Sequence, residues 1–392
     1  MAGAMAKLFI TDETSGGRIP FLRGVLVESL ARAGLSFQDA YLIAQAVRDG
    51  LGDQAEITIE ALKQHVAQEL HERFGAAMAE AYNLGSSHER QILVRSDSDE
   101  IPFSAGILSR SLQACAIGRA DAQETAKQVH DELRRGEQST IDHLALRDII
   151  HQRLNEHCSK SAAERFLSWQ RFRDSGLPLI VLVGGITGTG KSTLTTELAY
   201  QLNIVRTQST DMMREIVRCY FPPEEIPTLS YSSFEACRGL ESDDSTRGFK
   251  DKDIIRGFLS QFEIVRRGLE ATINRAVKEA HDLIIDGVHV LPSKLDLDIA
   301  RDKAIVIPLT LVVPNKKTLS KRLKRRAKEQ PERASSRYLK HIDKIWTLQT
   351  YLVAEAEEHK IPMILNIDAE EALQELLMHI STIITQHFPA KH

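Results

Sequence analysis

The stretch LIVLVGGITGTGKSTLTTELA, Leu179 to Ala199, constrains what this chain can fold into more than any other part of it. An unbroken apolar run passes into the turn Gly185-Ile186-Thr187-Gly188-Thr189-Gly190 and then into Lys191-Ser192-Thr193, where helical periodicity begins. Apolar residues without alternation suit a strand covered on both faces. The glycines let backbone N–H groups wrap a phosphate, and the following helix points its positive end at the same place. The spacing G-x-x-x-x-G-K-[ST] between strand and helix therefore reads as a P-loop, a cradle for the phosphates of a nucleoside triphosphate. Its candidate residues are Gly185, Thr187, Gly188, Thr189, Gly190, Lys191, Ser192 and Thr193. Lys191 would reach the β- and γ-phosphates, and Ser192 would offer its hydroxyl to Mg2+.

Beyond the cradle, strand-like runs at 179–184, 204–207, 282–287, 305–313 and 362–367 alternate with helical stretches at 191–202, 211–219, 253–280, 315–329, 335–359 and 369–387. Such alternation predicts an α/β fold, a parallel sheet with helices on both faces. No segment reaches 18 uncharged apolar residues, and the N-terminus lacks a basic region followed by an apolar one, so a cytoplasmic protein without membrane contact is expected. The net charge of −4 exerts no global pull on nucleic acid. Cys115, Cys158, Cys219 and Cys237 lack metal or disulfide spacing and read as reduced structural thiols.

The first 160 residues repeat themselves. IPFLRGVLVESLARAGL at 19–35 recurs in altered form as IPFSAGILSRSLQACAI at 101–117, an offset of 82 residues. The same offset sets Leu26 on Leu108, Leu30 on Leu112, Ala40 on Ala122, Ala44 on Ala126, Val47 on Val129, Ile59 on Ile141 and Leu62 on Leu144. Each copy opens with a β-prone piece, KLFIT at 7–11 or QILVRS at 91–96, and continues with helical periodicity. Gly34 and Gly50 read as helix stops, Ser36 and Thr58 as N-caps. The expected division is a mainly α-helical module at 1–88, its second copy at 89–158, a connector helix at 159–178 and the α/β core at 179–392.

Three further stretches bear on the phosphoryl acceptor. In IVRTQSTDMMREIVR at 204–218, Asp211, Arg214 and Arg218 fall on one helix face, where Asp211 could take a hydroxyl proton and the arginines clamp an anion. DLIIDGVHV at 282–290 is an apolar strand ending in Asp286, a candidate second Mg2+ group, with His289 as a candidate acceptor contact. Between 316 and 344 there are twelve Lys/Arg against three acids. Pro331 interrupts that helical pattern, giving the layout of a lid that carries Arg322, Arg325 and Arg326 over a transferring phosphate. Tyr338 is the only aromatic nearby, which disfavours single-stranded nucleic acid.

Residues 179–365 resemble the 2-phosphoglycerate kinases of archaea in GGITGTGKST, STDMMREIVR, IPTLSYSSFEA at 226–236, GFLSQFEIVRRG at 257–268 and IIDGVHVLP at 284–292. PFSAGILSRSL at 102–112 is similar to the helix opening of that family's ATP-cone-like module. The resemblance implies transfer from ATP, with Mg2+, to the 3-hydroxyl of 2-phosphoglycerate. It further implies Asp211 on the hydroxyl, Lys191 and an arginine of the set Arg322, Arg325 and Arg326 on the transferring group, and Arg214, Arg218 and His289 toward an acidic small-molecule substrate. Two departures stand out. The module is duplicated, and its hairpins carry TDETSGGR at 11–18 and RSDSDE at 95–100 in place of a basic turn. An acidic turn suits packing or a homo-oligomer better than a triphosphate. Kinases of other acidic or phosphorylated acceptors and a nucleotide-dependent regulator are the competing readings.

Overall fold

The computed structural model describes residues 8–11, 18–21, 26–27, 29–30, 35, 37–52, 54–76, 78–79, 82, 92–96, 100–136, 139–240, 249–300, 302–329 and 335–390. They divide into two compact units, 1–103 with 137–140, and 104–136 with 141–392. The helices of the second copy fall in the same unit as the α/β core.

In the first unit, β1 (Phe9–Thr11) pairs antiparallel with β2 (Arg18–Pro20) and parallel with β3 (Glu56–Thr58). Helices α1 (Phe37–Gly50) and α2 (Ile59–Phe74) cover an interior of Leu30, Ile43, Ala44, Val47, Val66 and Leu70. Thr58 caps α2, its hydroxyl accepting from the Ala61 N–H at 3.2 Å. A second hairpin joins β4 (Leu93–Arg95) to β5 (Glu100–Pro102), and the Leu93 N–H donates to the Ser139 carbonyl. The expected stop at Gly34 and cap at Ser36 lie outside the described residues.

The larger unit begins with α3 (Ala105–Ala114) and α4 (Arg119–Arg135), followed after β6 (Thr140–Asp142) by α5 (His143–His157) and α6 (Lys160–Asp174). The repeat can now be aligned element by element. Val47 and Val129 are both buried, in keeping with the offset read from the sequence. From the third strand onward the copies are two residues further apart. Asp142, rather than Thr140, caps α5 as Thr58 caps α2, and buried Val66 and Leu70 answer to buried Ile150 and Leu154. Pairing Ile59 with Ile141 and Leu62 with Leu144 is thus corrected to Ile57 with Ile141 and Leu62 with Leu146, the second copy having gained its extra length where α4 outruns α1.

The core is a five-stranded sheet of β7 (Leu179–Gly184), β8 (Thr207–Ser209), β9 (Leu283–Gly287), β10 (Ile305–Val312) and β11 (Met363–Leu365). Its order is β11-β10-β7-β9-β8, and every neighbouring pair is parallel. All six residues of β7 are buried, so both faces of the central strand are covered. Pro308 sits within β10 opposite Leu182. It is tolerated because β11 pairs only with Thr310–Val312, leaving one side of β10 without a partner strand at the residue that lacks an N–H.

Helices α7 (Lys191–Leu202), α8 (Thr210–Tyr220), α9 (Asp251–Lys278), α10 (Lys316–Glu329), α11 (Ser335–Lys340), α12 (Ile342–Glu358) and α13 (Ala369–His387) complete the unit. The expected interruption at Pro331, between α10 and α11, lies outside the described residues. The expected connector α6 is built into the interior: Phe166, Trp169 and Phe172 are buried, and the Trp169 indole N–H donates to Ser381 Oγ of α13 at 2.9 Å.

Candidate active site

The strand register brings three carboxyl ends level. Asp286 lies beside Val183 on one side and Ser209 on the other. The chain leaves β7 into the glycine turn and enters α7 at Lys191, while β8 passes directly into α8, which carries Asp211 in its first turn. Lys191, Ser192, Asp211 and Asp286 therefore gather at one edge of the sheet, where open α/β sheets hold their ligands.

Lys191 is buried, and its Nζ donates to the Ile186 carbonyl at 2.6 Å. Burial pulls its pKa below the usual lysine value, while the charges of Asp286 and Asp211 oppose that and Arg326 adds to it. The Ser192 hydroxyl donates to Asp286 Oδ2 at 3.3 Å. Burial pushes the Asp286 carboxyl up, with Lys191 and Ser192 pulling it back and Asp211 adding to the rise. A serine hydroxyl beside a carboxylate is a hard oxygen donor set that fits Mg2+. Among the described residues no three His, Cys, Asp or Glu side chains form a metal cage. An ion here would share its ligands with a bound phosphate, as Mg2+ commonly does.

The turn itself is braced from outside. Thr189 is fully buried, and its Oγ1 donates to the Ile186 carbonyl at 3.0 Å, so its side chain serves the loop. The Thr189 carbonyl accepts from Arg322 Nη1 and Asn366 Nδ2, each at 2.8 Å. Gly190, at φ 92°, leaves no room for a side chain, since a Cβ there would lie 2.7 Å from Asn366 Nδ2. Arg322 also gives Nη2 to the Asn366 and Ile367 carbonyls at 2.8 and 3.2 Å. Expected over the transferring phosphate, Arg322 gives its guanidinium here to the carbonyls of Thr189, Asn366 and Ile367. Arg326 is half-buried and within electrostatic reach of Lys191, whereas Arg325 is exposed and acts electrostatically on Arg322. Gly185, Thr187, Gly188 and Thr193 lie on the turn and the first turn of α7.

On α8, Asp211 is exposed beside the cradle, its N–H bonded to Ser209 Oγ at 3.3 Å. Arg214 and Arg218 are not the free clamp their spacing suggests. Arg214 gives Nη1 to the Leu229 and Tyr231 carbonyls at 3.1 and 2.9 Å and Nη2 to Glu215 at 2.6 Å, and Arg218 holds the other Glu215 oxygen at 2.6 Å. Glu215 was legible as their bridge, being next to one and three residues before the other.

His289 packs in the interior of the unit. Expected at the acceptor, it is fully buried, with Nε2 2.8 Å from Gln261 Oε1 and Nδ1 3.4 Å from Thr210 Oγ1. Gln261 turns its amide N–H groups to the Thr228 and Tyr231 carbonyls at 2.7 and 3.0 Å, which leaves its oxygen to accept. His289 therefore carries its proton on Nε2 and accepts at Nδ1. Burial drives its pKa down to about 4, with Asp211 opposing and Arg214 and Lys191 assisting. The unfolded chain binds this proton below about pH 6.5 and the folded chain only below about 4. Stability is thus expected to fall by about 3 kcal/mol as pH drops through that window, and His289→Gln is expected to flatten the loss in urea titrations at about pH 4.5 and about pH 7.

Comparisons with known proteins come from two directions. Residues 92–175 match the ATP cone domain. The 2-phosphoglycerate kinase of Pyrococcus furiosus is 34% identical over 290 residues, 74% of this chain and 93% of that protein. Proteins of the same name from Methanopyrus kandleri (33% identical, 75% of this chain and 88% of that protein) and Methanocaldococcus jannaschii (31%, 74% and 91%) match over similar spans.

Proposed function

This chain belongs to the 2-phosphoglycerate kinase family, and from that premise we propose that it transfers the γ-phosphoryl group of ATP to the 3-hydroxyl of 2-phosphoglycerate, giving 2,3-bisphosphoglycerate. The observation that carries the reading is the convergence of Lys191, Ser192, Asp286 and Asp211 at the carboxyl ends of β7, β8 and β9. Two carboxylates against one ammonium tolerate further positive charge. Mg2+, held by Ser192 and Asp286, would supply charge neutralisation to the β- and γ-phosphates. Lys191 leaves the Ile186 carbonyl for a phosphate oxygen, Asp211 orients the acceptor hydroxyl and takes its proton, and Arg326 faces the transferring group.

A coupled assay for ADP release tests this with 2-phosphoglycerate, 3-phosphoglycerate, glycerate and a 5′-hydroxyl oligonucleotide. Turnover on 2-phosphoglycerate no faster than ATP hydrolysis in water alone would sink the proposal. Asp211→Asn is expected to lower kcat by about 10²–10⁴, the range for a general base, with KM for ATP within about threefold of wild type. Full activity in that variant would remove Asp211 from the chemistry.

We read residues 1–88 and 89–158 as two ATP-cone-like modules and 159–178 as a connector to the kinase core at 179–392. The shared hairpin, third strand and capped helix support the reading. The Pyrococcus furiosus relative, of which 290 residues are 93%, is about 310 residues long, so this chain exceeds it by about 80, the length of one repeat. Among the described residues no helix is long and apolar enough to cross a membrane, which suits the cytoplasmic, small-molecule setting we propose.

A further inference from the structure

Resting on this acceptor assignment, the question is what receives the phosphate the acceptor already carries. Arg214 and Arg218 are both drawn onto Glu215. A different cluster offers guanidinium edges that are fixed in place yet open. Glu235 lies in the short 3-10 segment Ser233–Gly239, and its side chain is only 2% exposed. Arg238 Nη1 reaches it at 3.2 Å, Arg337 Nε at 2.8 Å with Nη2 also bonded, and His341 Nε2 lies 3.3 Å away. Burial pushes its pKa up, but Arg337, His341 and Arg238 together hold it below the usual glutamate value.

One carboxylate under two guanidiniums and an imidazole leaves the cluster net positive. Arg238 and Arg337 keep 52% and 45% of their side chains exposed. Among the described residues Arg238 Nε and Nη2 and Arg337 Nη1 meet no acceptor, so they are left to donate. The Arg238 guanidinium also lies over the Tyr231 ring, 5.2 Å from its centroid. The cluster is tied to the reaction centre twice. The Tyr231 carbonyl is held by Arg214 of the helix that carries Asp211. Phe234, the neighbour of Glu235, packs in one apolar cluster with Ile186 of the phosphate loop and with Leu319 and Leu323 of α10.

We propose that Arg238 and Arg337, aimed by the buried carboxylate of Glu235, form the subsite for the phosphate monoester of the acceptor, and that this subsite selects a phosphorylated acid over the free one. A dianion with three oxygens can accept from Arg238 Nε and Nη2 and from Arg337 Nη1, one donor to each oxygen, which the two oxygens of a carboxylate match less well. Glu235 is a positioning residue, since it touches the arginines and not the substrate.

The test uses the full chain with ATP and either 2-phosphoglycerate or glycerate. Arg238→Gln and Arg337→Gln are each expected to raise KM for 2-phosphoglycerate by roughly 10–100-fold, as loss of a charge-assisted pair implies, with KM for ATP moving less than about threefold. Their preference for 2-phosphoglycerate over glycerate in kcat/KM shrinks by the same factor, and inorganic phosphate weakens as a competitor of the acceptor. Glu235→Gln is expected to do the same while removing no cation, which only a role in aiming the arginines explains. Unchanged preference in the two arginine variants, with melting curves like wild type, overturns the subsite. Should Arg337→Gln fail to fold, the half-exposed Arg238 decides alone. Should wild type turn over neither acceptor, the acceptor assignment falls by itself. Calorimetric titration with inorganic phosphate then judges the subsite: weaker binding to Arg238→Gln than to wild type supports it, and equal binding overturns it.

Discussion

Lys191→Met is expected to lower kcat by at least about 10³, a loss of roughly 4 kcal/mol of transition-state stabilisation, while leaving the thermal midpoint unchanged or raised. The two halves of that expectation have separate causes. Without ligand the ammonium is buried and its hydrogen bond runs to the Ile186 carbonyl, so burial already disfavours its charge. Methionine removes a costly buried cation and keeps the volume. The Ile186 carbonyl is not orphaned, because Thr189 Oγ1 still donates to it at 3.0 Å. The transferring phosphoryl group, in contrast, loses the cation aimed at it. Calorimetry beside the ADP-release assay checks both halves; a variant that melted well below wild type would mean the lysine is structural.

The second large effect lies across the cradle. Gly287 closes β9 at φ 149°, and a Cβ added there would overlap Thr210 Oγ1 and sit 2.9 Å from Thr210 Cβ. Thr210 is the first residue of α8 and is bonded to His289, so it cannot move without taking Asp211 with it. Gly287→Ala is therefore expected to cut kcat/KM by about 10², as a displacement near 1 Å of a reacting group does. The strained backbone should cost ~3 kcal/mol and lower the thermal midpoint by about 5–10 °C. Adding Thr210→Gly, which removes both clashing atoms, should recover part of the activity. No recovery in the double variant would place the damage elsewhere in β9.

Much of this was legible beforehand, and the reasons are specific. Continuous apolarity marked β7, β9 and β10 because those strands are covered on both faces, and the observed helices begin and end within a few residues of the periodic stretches. Glycine spacing marked the cradle because close backbone approach excludes side chains. What escaped were partners separated widely in sequence. Asn366 meets Thr189 across 177 positions, and Glu235 meets Arg337 across 102, with no periodicity to announce either pair. Residue type alone also did not announce the contacts that Arg322 and His289 make, the first with the Thr189 carbonyl and the second with the Gln261 side chain.

The brace on the phosphate loop also has a meaning in time. The ribosome delivers Thr189 long before Asn366, and at about 5–20 residues per second the interval is roughly 10–35 s. Arg322 follows Thr189 by 133 positions, so for most of that interval the loop lacks the arginine, and throughout it lacks the amide, that secure its carbonyl. A nascent chain can therefore display the whole glycine motif and still lack a finished nucleotide seat. Competence arrives with the last strand, so a truncated product of interrupted synthesis would carry the motif without the grip.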